Sequence, residues 1–533
     1  MALILNNIRL PLSADESSLK ALAARALDIP AGAILSLRAH RISLDARRKN
    51  DICFEYTLEV SLSPGDEARA LRLNRAEALP SRMLFAPRLG LEKPGAPIVV
   101  AGLGPAGLFA AYALAKFGYR PVVIERGKSV AERERDVRSF WTGGRLDPES
   151  NAMFGEGGAG AFSDGKLTTR IKDPLCDEVL STLVRFGAPE ETAVQAKPHI
   201  GTDKLCGVVF AIRTEIERLG GEVRFNTKLC GLESLDGALT AVRVETTAGV
   251  ERVPASTLVL AVGQNADDTY RMLFEAGLEM AAKPYAAGVR IEHPRELIDR
   301  SQFGAHMGHP RLGAAEYRFA DRSGGRGVYT FCMCPGGKVI GCANEEGRVV
   351  VNGMSEHARR DVNSNSAVVV QVDERDFPPG PLGGLAFREK LERAAFRAGG
   401  GDYRAPASTL GAFLAGAEPY GWGSVAPSCL PGVKLCDLNA VLPDFIAEGV
   451  KDGVLAFGRK LRGFDMDEAV LTAIESRTSA PVRIARNEFG EATRMRNLYP
   501  CGEGAGYAGG IVSAAVDGMR AAEHVMGRFA PLC

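Results

Sequence analysis

Residues 98–127 read IVVAGLGPAGLFAAYALAKFGYRPVVIERG, and no other stretch limits the fold as strongly. A short apolar run, a glycine turn, an alanine-rich stretch and a second apolar run follow in the order of a β-α-β unit. Gly102, Gly104 and Gly107 fall at G-x-G-x-x-G spacing directly after the first run. Gly102 allows a sharp turn, Gly104 lets the backbone approach a pyrophosphate, and Gly107 lets the helix lie close to the sheet. The helix starting at Pro105 and Ala106 offers free N–H groups and the positive end of its dipole to an anion. Pro105 sits in the first turn, where no N–H is needed. Glu125, followed by Arg126, ends the second strand, where its carboxylate can accept from both ribose hydroxyls of an adenosine and repel a 2′-phosphate. The unit is expected to bind a dinucleotide.

Two further glycine segments decide which one. Residues 151–170, NAMFGEGGAGAFSDGKLTTR, hold five glycines together with Ser163 and Lys166. Backbone that free of bulk is read as a second contact, through Gly158 and Ala159, with the pyrophosphate, ribityl chain and ring. Residues 498–510, LYPCGEGAGYAGG, read as strand, glycine turn and helix start, with the helix running over 511–526. Gly502 and Glu503 would meet the ribityl hydroxyls or pyrophosphate. The helix N-terminus at Gly510 and Ile511 would face the flavin N1–C2=O edge, which becomes negative on reduction. A protein binding only NAD has no need of this third contact, so the expected cofactor is FAD. Residues 257–269, TLVLAVGQNADDT, read as a third apolar strand closing on Gly263 beside the same cofactor. Residues 281–480 contain no second G-x-G-x-x-G, which argues against a dedicated nicotinamide domain and leaves NAD(P)H open as electron donor.

At 533 residues the chain has room for two or three domains. Lys plus Arg and Asp plus Glu both number 65, so charge gives no reason to expect nucleic acid or a membrane surface as partner. The start MALILNNIRLPLS lacks a basic region followed by a long apolar core, so no signal peptide is expected. Eleven scattered cysteines without a C-x-x-C pair fit reduced thiols in a cytoplasm, and no metal site is expected.

The segment before the cofactor unit reads as a small α+β domain: a strand over 3–10, a helix over 16–27, and strands over 33–44 and 51–62. Arg47, Arg48 and Lys49 lie between its last two strands. Without interleaved aromatics they read first as a solvated hairpin tip, with RNA binding as the alternative. Residues 80–97 read as a linker. In the long middle region, residues 328–334 alternate, so Cys332 and Cys334 are expected on one face of a strand, lining the substrate side. Redox partners and soft-metal ligands are the other readings of that pair. His293, His306, His309 and His357 are read first as structural.

These segments resemble the bacterial FAD-dependent dehydrogenase family, related to the two-dinucleotide-binding-domain, glutathione-reductase-type flavoproteins. The resemblance runs through SLDARRKN, GLGPAGLFAA, GEGGAGAFSDGKL, FCMCPGGKVI, NGMS at 352–355, ESRTSAPVRI at 475–484 and GEGAGYAGGI at 502–511. One departure is Gln264, in AVGQNA, where a histidine is the family's residue. The resemblance implies FAD and a redox role and names no substrate.

The expected architecture is an α/β fold: a Rossmann-like FAD-binding domain assembled from 96–280 and 481–533, an inserted mixed α+β substrate domain over 281–480, and a small N-terminal α+β domain over 1–90. The expected activity is an FAD-dependent dehydrogenase or reductase moving hydride at flavin N5, with a small organic molecule as substrate. Lys166, Cys332 and Cys334 are the catalytic candidates. A flavin monooxygenase, an RNA-directed flavoprotein and a non-catalytic FAD scaffold are the alternatives.

Overall fold

A computed structural model describes residues 2–80, 85–322 and 325–532. Residues 81–84, inside the expected linker, lie outside the described residues, as do the first and last residues of the chain.

The strands Ile98–Ala101, Thr257–Leu260 and Val122–Ile124 are short, almost wholly aliphatic and buried at every position. Uninterrupted apolar strands suit a parallel sheet covered on both faces. They lie in a five-stranded parallel sheet in the order Leu498–Pro500, Thr257–Leu260, Ile98–Ala101, Val122–Ile124, Glu222–Arg224. The helix Pro105–Lys116 is buried at ten of its twelve residues. Such a helix, apolar all round, must be covered on two sides. It is held between the sheet and the last helix, Ile511–Arg528, with Ala106, Leu108 and Phe109 in one core with Val512, Val516 and Met519.

On one side of this sheet lies an antiparallel meander, Lys228–Leu235, Ala238–Thr246 and Gly249–Pro254. The last two are the expected hairpin; the first is a strand the sequence did not announce. The N-terminal segment forms a four-stranded sheet in the order Ser36–Asp45, Cys53–Ser61, Leu3–Pro11, Glu77–Ala78. It is backed by the helices Leu19–Leu27 and Pro64–Arg72, the second not expected.

Residues between 285 and 475 supply a seven-stranded mixed sheet. Its central strands, Tyr285–Pro294 and Asn363–Val372, pair antiparallel over their full length and are each buried at nine of ten positions. They nevertheless carry Arg290, Glu292, His293, Ser364, Asn365 and Ser366, all below 10% exposed. Buried polar groups survive by bonding one another. Arg290, for example, donates to Asn365 at 2.9 Å, to Asn352 at 3.0 Å and to Glu475 at 2.8 Å. A two-stranded pairing, Met280–Ala282 with Val482–Ile484, stands where the chain passes between the two large sheets.

Candidate functional site

A cavity of about 1100 Å³ runs between the carboxyl ends of the parallel strands and the seven-stranded sheet. Ligands bind at that end of open parallel sheets, and this volume exceeds the roughly 300–1000 Å³ of ordinary small-molecule pockets. Two helices open onto it. Pro105–Lys116 begins after Gly104 and Ile511–Arg528 after Gly510, and neither start is capped by a side chain. Their free N–H groups make two anion-attracting points on one wall. The first turn depends on Gly102, whose φ of +98° suits glycine and whose missing Cβ would lie 2.4 Å from the Ala261 carbonyl.

Most of the expected cofactor residues line this cavity: Gly102, Gly104, Pro105, Ala106, Glu125, Arg126, Gly158, Ala159, Ser163, Lys166, Gly263, Gly502, Glu503, Gly510 and Ile511. Gly107 does not. It sits behind the turn, where a Cβ would lie 1.8 Å from the Gly102 carbonyl oxygen, so its role is to bring helix and strand together. Glu125 also differs from expectation. Its carboxylate accepts from the backbone N–H groups of Leu103 at 2.8 Å, Gly127 at 2.9 Å and Gly155 at 3.0 Å. With three of about four acceptor positions filled, it ties three segments together and has room for one ribose hydroxyl, not both. Arg126 has its donors on Glu149 and Asp268 and lies over the Phe154 ring at 4.0 Å. Its charge is fully matched, so this end suits an adenosine without a 2′-phosphate.

The residues present fit FAD. Two anion points, a carboxylate at the far end of the second strand and a glycine-walled channel between them match a long dinucleotide. Gly263, Gly509 and Gly510 have nothing within 4 Å of where a Cβ would stand, so their missing side chains leave the channel open. Gln264, the departure from the family pattern, lines the same channel. Its amide donates to the Arg477 carbonyl at 2.9 Å, while its oxygen is buried with no partner among the described residues. A buried acceptor left in that state calls for a donor from a ligand.

The opposite end is polar and charged. Lys166 reaches Asp164 at 2.6 Å and donates to the Met333 carbonyl. Glu475, Glu503 and Cys332 line the same region. Burial pushes the Glu475 carboxyl up to about 7, against the pull of Arg290, and burial does the same to Glu503. Groups poised near neutrality can hold or release a proton. Glu475 and Arg290 were not expected from residue patterns. The signal for Glu475 was its place at the start of ESRTSAPVRI.

The cysteine pair requires a correction. Val328–Cys334 is the expected strand, but its ladder slips between Phe331 and Cys334, and Cys332 has φ +43°. The bulge breaks the alternation that would put both cysteines on one face. Cys332 lines the cavity beside Phe331 and Met333, whereas Cys334 is fully buried behind it and does not reach the wall. Of the histidines, His293 is a core residue bonded to the Phe464 carbonyl at 2.7 Å. In the N-terminal hairpin, Arg47 is bonded to Asp45 at 2.8 and 2.7 Å. No group of three or more metal-ligating side chains occurs among the described residues, nor a helix long and apolar enough to cross a membrane.

Residues 284–478 match the family described as FAD-dependent protein, C-terminal domain-like, and residues 3–61 match a domain of unknown function. A geranylgeranyl bacteriochlorophyll reductase-like protein of Thermoplasma acidophilum aligns with 81% of this chain and 78% of its own at 12% identity and TM-score 0.37. A flavoprotein/dehydrogenase of Cytophaga hutchinsonii aligns with 82% of this chain and 80% of its own at 13% identity and TM-score 0.34. A protein of Clostridium beijerinckii, described as uncharacterized, is 46% identical over 534 residues, covering 99% of each chain. The chain therefore belongs to the same family as that Clostridium beijerinckii protein, and its residues 284–478 are similar to the C-terminal domain of FAD-dependent proteins.

Proposed function

We propose that the protein is an FAD-dependent oxidoreductase that moves hydride to or from a small organic molecule. The observation that carries this reading is the meeting of two uncapped helix N-termini, from residues 105 and 511, on one cavity. A dinucleotide pyrophosphate needs the first, and a ring that gains negative charge on reduction needs the second.

In this reading 96–280 and 481–533 hold the cofactor, and 281–480 supply the substrate wall. Gly102, Gly104 and Pro105 would hold the pyrophosphate, Glu125 a ribose hydroxyl, and Glu503 with the Gly510–Ile511 turn the ribityl and ring end. Bound there, FAD would supply two-electron chemistry at N5. The chain's own residues supply charge and protons. Lys166 places a cation on the substrate side, its position fixed by Asp164 and the Met333 carbonyl. Glu475 holds a proton near neutral pH and can pass it to, or take it from, a reacting atom at the cavity wall. Phe331 and Met333 add apolar surface to the wall of the same cavity.

The substitution Gly104→Asp tests the anion point without disturbing the fold. Gly104 has φ −75°, and a Cβ there would lie no closer than 3.7 Å to its nearest neighbour. A carboxylate at that place repels a pyrophosphate. FAD affinity, followed by flavin fluorescence, should fall by roughly tenfold or more, about 1.4 kcal/mol, with unchanged circular dichroism. Unchanged affinity would contradict the placement.

A further inference from the structure

We propose that Cys332 and Cys334 form a redox-active dithiol that cycles between two thiols and an intramolecular disulfide by exchanging two electrons with the flavin. The proposal rests on the flavin reading above and assigns the pair an activity of its own.

Three features of the local structure support it. The ladder between Val328–Cys334 and Asn363–Val372 runs from Phe331 opposite Ala367 to Cys334 opposite Asn365, so one strand advances three residues while the other advances two. The extra residue turns Cys332 into the cavity and leaves Cys334 directly beneath it. The Cys334 thiol donates to the Cys332 carbonyl at 3.4 Å, so the second cysteine folds back onto the first. A regular strand would not fold a C-x-C pair back on itself in this way.

Second, two cations converge on the pair, Arg290 fully buried and Lys166 on the cavity wall. Arg290 donates to the Cys332 carbonyl at 2.6 Å and lies 4.0 Å from the Cys334 sulfur. It is fully buried and held by Glu475, Asn365 and Asn352. Lys166 bonds the carbonyl of Met333, the residue between the two cysteines. The neighbouring Cys334 thiol, then Lys166 and Arg290, lower the Cys332 thiol, while Cys332 and burial push Cys334 up. Cys206, Cys342, Cys429 and Cys501 are all pushed up by burial. An accessible thiolate in an electropositive setting is the reactive kind of cysteine, and a buried neutral thiol beside it is a proton source.

Third, no further metal-ligating side chain completes a metal site around the pair among the described residues. A disulfide between residues two apart is strained and so labile, which suits turnover and not structural support.

The step balances. The Cys332 thiolate and the Cys334 sulfur join in one S–S bond, and the Cys334 S–H bond breaks. The proton and two electrons go to oxidised flavin, giving disulfide and the reduced flavin anion with one negative charge on each side. In reverse, reduced flavin opens the disulfide and delivers a thiolate to the cavity. A disulfide-bearing small molecule is the substrate class such a thiolate attacks.

The test uses FAD-loaded protein, oxidised with diamide, freed of reagent and titrated anaerobically with dithionite. Samples are quenched with N-ethylmaleimide and digested with trypsin. Both cysteines, and no others, fall in the peptide cut after Arg326 and Lys338. The proposal predicts four electrons per flavin for the wild type and two for Cys332→Ser and Cys334→Ser. It also predicts a wild-type peptide that carries no maleimide before reduction and two after. Flavin that binds and takes up two electrons in the wild type, with a peptide carrying two maleimides throughout, would overturn the dithiol and leave the flavin reading intact. Failure to bind FAD at all would overturn both. The wild-type count and peptide mass decide the matter even if a serine variant does not fold.

Discussion

Glu503 stands between Gly502 and Gly504 at the mouth of the last helix, and burial lifts its carboxyl to about 7 while Lys283 pulls it down. A carboxyl whose folded pKa is raised gives stability that is full below its unfolded value and is lost as pH rises through the folded one. Relative to Glu503→Gln, the apoprotein should therefore lose stability between about pH 4.5 and 7, read as a falling urea midpoint. A pH-independent difference between the two proteins would contradict that burial. Glu475→Gln is expected to remove a break near pH 7 from the rate of flavin reduction by substrate, with flavin content retained. Glu503 was legible in the sequence because glycines flank it at the end of an apolar run. Glu475 was not, because it ends the strand VLTAIE and its partner Arg290 lies 185 positions away. Local patterns do not report a pair that only the assembled sheet creates.

At the scale of elements, the glycine helix and the last helix carry the site, and both rely on close backbone approach. Gly107→Ala would put a Cβ 1.8 Å from the Gly102 carbonyl and push the helix off its strand. Overpacking of this kind costs about 1–3 kcal/mol, so the urea midpoint should drop and FAD affinity fall with it. A variant of wild-type stability would show that the helix can move freely. The strands Ile98–Ala101 and Leu498–Pro500 and the helix starts at Pro105 and Ile511 were readable because glycine turns and apolar runs mark their ends. The strand Lys228–Leu235 was not, since only one of its eight residues is fully buried and its pattern has no clear period. The bulge at Cys332 was equally hidden. Alternation predicts side-chain faces only where the ladder is continuous, and a cysteine gives no sign that it will adopt a positive φ.

Across the whole molecule, a buried ionic network joins the two large sheets. Asp267, just past the third parallel strand, pairs with Arg388 and with Arg348 at 3.0 Å. Glu392 pairs with Arg477 at 2.8 Å, next to the strand that ends in Glu475. Removing one member strands its partners in the interior, so Asp267→Ala should cost about 3–5 kcal/mol in urea unfolding. A cost below about 1 kcal/mol would mean that water reaches Arg388, as at a surface pair. None of these charged residues was singled out in the sequence: Asp267 and Arg477 fall in stretches noted for other reasons, and Arg348 lies outside any helix or strand. What did stand out was the return of the chain's end to its first glycine turn. The most direct measurement is to incubate the purified chain with FAD, remove free flavin by gel filtration, and record the visible spectrum of the protein peak. The expected result is oxidised-flavin bands at one FAD per chain, bleached by anaerobic reduction and restored by reoxidation. A colourless protein peak with all flavin in the small-molecule fraction would contradict it.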